Sequence, residues 1–151
     1  MKGYPKPFIR LMLLAFLLLL GSGLALLPNL LVFKWDMDLD FTFEGATRMK
    51  IAAAHVSAAM VVIWFFGALW PVHMRSGMRR QKNRASGLGM VTLILTLAAT
   101  GVASFYLGDE SWQKGNSAIH LASGALLLLA GVLHRIIGRR ISAKSHSSSH
   151  H

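Results

Sequence analysis

Ser117-Ala-Ile-His-Leu-Ala-Ser-Gly-Ala-Leu-Leu-Leu-Leu-Ala-Gly-Val-Leu-His-Arg135 is long and apolar enough to cross a bilayer, yet carries two histidines. His120 and His134 stand 14 residues apart, just under four helical turns, so both project from nearly one face. Gly124, Leu127 and Gly131 lie between them on that face, at steps of four, three, four and three. Each histidine therefore has a glycine one turn toward the middle of the span. A planar macrocycle held through an imidazole needs that clearance, because it extends over the neighbouring turn.

Three more apolar runs precede this one, roughly residues 8–27, 51–72 and 87–107. With 54% hydrophobic residues and a mean hydropathy of +0.49 over 151 residues, the chain is too apolar for an ordinary soluble domain. The first run has the basic front of a signal peptide. It lacks a small-x-small cleavage site before Pro28 and is long for a signal, so it reads as a retained helix. Cysteine is absent, which excludes disulfides, iron–sulfur clusters and thiolate zinc sites. The expected fold is all-α: a transmembrane four-helix bundle with helices near 8–27, 49–73, 86–107 and 116–138. An outward loop is expected at 28–47, and a disordered, low-complexity Ser/His tail at 142–151.

The net charge of +10 resembles a nucleic-acid footprint until the charges are sorted by segment. Lys2, Lys6 and Arg10 precede the first run; Arg75, Arg79, Arg80, Lys82 and Arg84 fill the second loop; Arg135, Arg139, Arg140 and Lys144 follow the fourth. All six acids, Asp36, Asp38, Asp40, Glu44, Asp109 and Glu110, fall in the other two loops, with only four cations. That is the positive-inside pattern of a multi-pass inner-membrane protein with both termini cytoplasmic. Attraction to anionic lipid accounts for the cations, and no nucleic acid is expected.

The stretch from Trp35 to Glu44 alternates acidic or polar side chains with Met37, Leu39, Phe41 and Phe43. A period of two suits an extended strand. Such a strand would serve as a lid lying apolar side down, or as a docking edge for a partner subunit or basic electron carrier. Gly21-Ser-Gly23, in the first helix, allows either helix contact or cofactor clearance.

The second helix carries His55 and His73, 18 residues apart, with Ala59, Val62, Phe66 and Leu69 along the same stripe. Phe66 would lie between two bound groups, and Pro71 should kink the helix near Trp70. Helices two and four run in the same direction, so depths compare directly. His55 follows Arg48 by seven residues and His120 follows Lys114 by six; His73 precedes Arg75 by two, and His134 immediately precedes Arg135. The histidines thus form an outer pair, His55 with His120, and an inner pair, His73 with His134. Cations at each membrane edge can meet haem propionates. On the third helix Gly87 and Gly101 are also 14 apart, expected beside the inner and outer pairs respectively. Eighteen residues rise about 27 Å and fourteen about 21 Å, so tilt or the Pro71 break must absorb the difference.

Two depth-matched imidazole pairs point to two haem b groups with bis-histidine ligation. The plainer alternative is a non-redox assembly or structural subunit, or a small metal carrier, whose histidines serve helix packing or a metal. The histidine spacing, the interior glycines and the turn Tyr106-Leu-Gly-Asp-Glu110 resemble the small membrane b-type cytochromes that anchor formate dehydrogenases and hydrogenases. The resemblance implies a cytochrome b subunit passing electrons between a quinone and a partner, either a c-type cytochrome or a dehydrogenase. This chain differs in having no histidine on its first helix. Trp64, Phe65, Phe66 and Trp70 either pack the helices or wall the cofactors and a quinone pocket.

Overall fold

The computed structural model describes residues 4–75 and 84–147, with the side chains of 72, 73 and 138–147 outside that description. The described residues are all helical apart from short connections and contain no strand. Four helices, α1 (Lys6–Trp35), α2 (Gly45–Leu69), α3 (Arg84–Tyr106) and α4 (Glu110–Ser147), are long and apolar enough to cross a membrane. Leu14, Leu17, Leu95 and Leu129 stand exposed on them, as lipid-facing residues do. The chain divides into two compact units, one containing α1 and α2 and the other α3 and α4.

In the first unit α1 and α2 lie antiparallel, sealed at one end by aromatic rings. Tyr4 stacks on Phe8 at 4.8 Å, Phe8 meets Phe65 edge-on at 5.1 Å, and the Tyr4 hydroxyl donates to the Ala68 carbonyl. Ala58, Phe65 and Leu69 are buried on the α2 face toward this contact.

α1 does not stop at Leu27, as its sequence suggests, but passes through Pro28 to Trp35. A proline removes only its own amide hydrogen and crowds one carbonyl, a disturbance that membrane helices absorb. The helix ends where Asp36 takes a left-handed backbone (φ 53°), and the amides of Asp36 and Met37 turn back to the Leu31 carbonyl.

Only residues 37–44 remain to connect α1 to α2, and they form no strand. This corrects the expectation drawn from their alternation. An extended segment needs a neighbour for its peptide groups, and here a side chain supplies it. Asn29, only 4% exposed, donates from Nδ2 to the Phe43 carbonyl (2.9 Å) and accepts the Phe43 amide on Oδ1 (3.1 Å). Phe43 is half-buried, whereas Met37, Leu39 and Phe41 are exposed, so the apolar side is not laid down as a continuous lid. Asn29→Leu should strand two buried peptide groups and destabilise the unit by about 1–3 kcal/mol. Thermal unfolding in detergent measures it; an unchanged midpoint would show the clamp to be dispensable.

α2 gives way at Leu69 to a π-helical turn, Trp70–Met74. Pro71 has no amide to continue the α pattern, and the Trp70 amide turns to the Gly67 carbonyl instead. Near Trp70, where the sequence leads one to expect a kink, the helix changes type.

In the second unit Asp109 caps α4, its Oδ1 accepting the Trp112 amide at 3.0 Å. Glu110, in the first turn, pairs with Lys114 at 3.0 Å. α4 continues to Ser147, so residues 142–147, which read as tail by composition, extend the helix.

Candidate functional site: the intramembrane histidines

His55 projects from α2 onto α1. Its Nδ1 lies 3.1 Å from the Ser22 hydroxyl and 3.1 Å from the Leu19 carbonyl, and its ring edge rests on Gly23. A Cβ at Gly23 would stand 3.0 Å from Cε1, so the ring occupies space that only glycine leaves open. A carbonyl can only accept, which assigns the proton to Nδ1. The Ser22 hydroxyl donates to Leu18 O at 2.6 Å and is left to accept as well.

His120 repeats the arrangement in the second unit. Its Nδ1 is 2.8 Å from the Thr100 hydroxyl, and its Cε1 would be 3.6 Å from a Cβ at Gly101. Thr100 Oγ1 also lies 2.7 Å from the Thr96 carbonyl, to which it can donate while accepting from Nδ1. The Thr100 carbonyl is held in turn by Asn116 Nδ2 at 2.9 Å, one turn before His120 on α4.

His134 makes the third such contact, its Nδ1 2.9 Å from the Ser86 hydroxyl. Ser86 precedes Gly87 as Thr100 precedes Gly101 and Ser22 precedes Gly23. Ser86 and Thr100 are 14 residues apart on α3, and His120 and His134 are 14 apart on α4. One antiparallel register therefore serves both contacts.

No known protein family, curated protein or solved structure matches this chain.

The sequence stripe on α4 is only partly the face that meets α3. A Cβ at Gly124 would lie 3.9 Å from Leu97 Cδ2, an ordinary packing contact, and one at Gly131 or Gly87 would meet nothing within 4 Å. Leu127 is buried. Phe66 is half-buried beside the buried Phe65. The side chain of His73 lies outside the described residues.

The cations sit near the ends of the apolar spans. Arg75 and Arg135 are exposed, and Lys114 is engaged by Glu110. Arg48 lies over the Phe33 ring at 5.0 Å and lines a shallow groove of about 380 Å³ with Lys34, Asn29 and Met49. Among the described residues no three His, Cys, Asp or Glu side chains gather as a metal cage would require. A bis-imidazole iron site needs only two.

Sequence reasoning missed the hydroxyls. A Ser-Gly or Thr-Gly pair recurs at 22–23, 86–87 and 100–101 on the two helices that lack histidines. That signal was visible, although the glycines drew the attention.

Proposed function

We propose that this chain is a transmembrane b-type cytochrome subunit that carries electrons through two bis-histidine haems. One observation supports this above the rest. Three imidazoles on helices long and apolar enough to cross a membrane each have Nδ1 within hydrogen-bond distance of a hydroxyl on the neighbouring helix. Histidines that bind metals are oriented in this way, one nitrogen tied to an outer partner and the other directed at the metal.

His55 and His120 would hold one haem, and His73 and His134 the other, paired by their depth in the sequence. Arg48, Lys114, Arg75 and Arg135 lie near the ends of the apolar spans, where they would meet propionates. A haem iron so ligated supplies one-electron chemistry between its ferric and ferrous forms. The chain's own part is to fix the imidazoles, exclude water with apolar helices and seat the carboxylates in cationic edges. The setting is an inner membrane with both termini cytoplasmic, and the assembly is a larger complex linking quinone to a c-type cytochrome or dehydrogenase subunit.

Histidines used only to pack helices would make the same hydroxyl contacts. A pyridine haemochrome assay on the purified protein separates the two. Two haems per chain with low-spin reduced-minus-oxidised bands are expected; absence of haem would leave helix packing as the role of the histidines.

A further inference from the structure

We propose that the groove at the start of α2 seats an anionic phospholipid, its phosphate on Arg48 and Lys34 and one acyl chain along the apolar lining. The groove lies wholly within the unit of α1 and α2, and Leu26, Leu30, Met49 and Ala52 make up most of its apolar part. Two cations and no acid line it. It is found where α1 ends and α2 begins, at one end of both apolar spans. Trp35 closes α1 there, as aromatic residues do at head-group depth. An apolar trough with its charge confined to one end matches a lipid, whose tail needs no polar partner and whose head does.

Arg48 is suited to a phosphate. Its guanidinium is exposed and lies 5.0 Å from the centre of the Phe33 ring, an attraction that restrains it beside the groove. Among the described residues no acceptor meets its side-chain N–H groups, a fork of donors that matches phosphate oxygens. No side chain caps α2, although Glu44 stands at its N-cap, and no acid occupies its first turn. The amides of that turn add to the pull on an anion. Asp36, Asp38, Asp40 and Glu44 stand on the segment between the helices and do not line the groove, so a local seat must be told apart from general surface charge.

The test is native mass spectrometry of the purified chain, released from detergent after titration with dioleoyl phosphatidylglycerol or dioleoyl phosphatidylcholine. With two cations, each worth roughly fivefold against an anionic lipid, wild type should prefer phosphatidylglycerol by about tenfold or more, and Arg48→Gln should lose about fivefold of that. The double change Lys34→Gln/Arg48→Gln should abolish the preference. Lys50→Gln, at an exposed residue outside the groove, should keep it. Ala52→Phe fills the apolar part and should weaken both lipids alike. Bound lipid is weighed directly, with or without haem, so the seat is tested apart from any meeting of Arg48 with a propionate. Equal binding of the two lipids by wild type overturns the proposal, as does a preference that survives the double change. A loss in Lys50→Gln equal to that in Arg48→Gln assigns the effect to surface charge and overturns it too. Wild type that binds an uncharged prenyl quinone more tightly than phosphatidylglycerol, and loses it in Ala52→Phe, would make the groove a quinone seat instead. Should Ala52→Phe not fold, Arg48→Gln decides, since it alters only an exposed side chain.

Discussion

His120→Ala is expected to abolish one low-spin haem completely, and His55→Ala to abolish the same one. On the proposed reading each haem would take both axial ligands from the protein, so deleting either imidazole would open a coordination position. Any haem retained there should turn high-spin, with its absorption bands broadened and displaced. The other haem should keep its spectrum and titrate as in wild type. The double variant separates this from general unfolding: losses at a shared site are non-additive, so it should lose no more haem than either single variant. Haem content and low-temperature spectra of the three proteins provide the check. If His55→Ala and His120→Ala depleted different haems, the pairing by depth would be wrong, though the cytochrome reading would survive.

Gly23→Leu should have an effect nearly as large, at a residue with no chemistry of its own. The His55 ring rests where a side chain would begin, with Cε1 3.0 Å from the position of a Cβ. Overpacking costs about 1–3 kcal/mol. The displaced ring also gives up its bonds to Ser22 and Leu19, each worth ~1 kcal/mol net. The leucine should thus remove His55 from its seat while the rest of α1 and α2 holds. Gly23→Ala should do so only partly, since an exposed-edge ring can yield by a few tenths of an ångström. Gly21, two residues away, has nothing within 4 Å of its missing Cβ, so Gly21→Leu serves as the control. Haem occupancy beside thermal stability in detergent is the measurement. Equal behaviour of Gly21→Leu and Gly23→Leu would mean that the His55 seat is not where it is drawn.

A related comparison tests the glycines on α4. In Gly131→Leu no protein atom within 4 Å resists the change. Unchanged stability without haem, combined with loss of one haem, would assign that open face to the cofactor. Loss of stability alone would assign it to helix packing.

The four helices were legible because apolar runs of bilayer length have few other outcomes. Their ends were less so. Pro28 was read as a stop, but a single missing amide does not terminate a helix in lipid, and α1 runs on to Trp35. The alternation at 35–44 was a true pattern with the wrong consequence. Period-two sequence makes a strand only beside another strand, and Asn29 offers peptide-like bonding at Phe43 alone. At the site, the histidines announced themselves as rare ionisable groups in apolar helices. A Cβ at Gly101 would lie 3.6 Å from His120, whereas one at Gly87 would meet nothing within 4 Å. Ser22, Ser86 and Thr100 were not singled out, because serine and threonine commonly bond back to their own helix and that habit hides a second role. Ser22 and Thr100 do both at once.

The matched 14-residue steps on α3 and α4 also have a mechanical meaning. Two cross-ties at Thr100–His120 and Ser86–His134, about 21 Å apart along the helices, act like rungs that fix a ladder against shear. A slip of one residue would break both ties together, and no partial slide keeps one intact while relaxing the other. The pair can bend or tilt within the bilayer as a whole. Sliding α3 along α4 would therefore cost both ties at once, whereas tilting the two helices together costs neither.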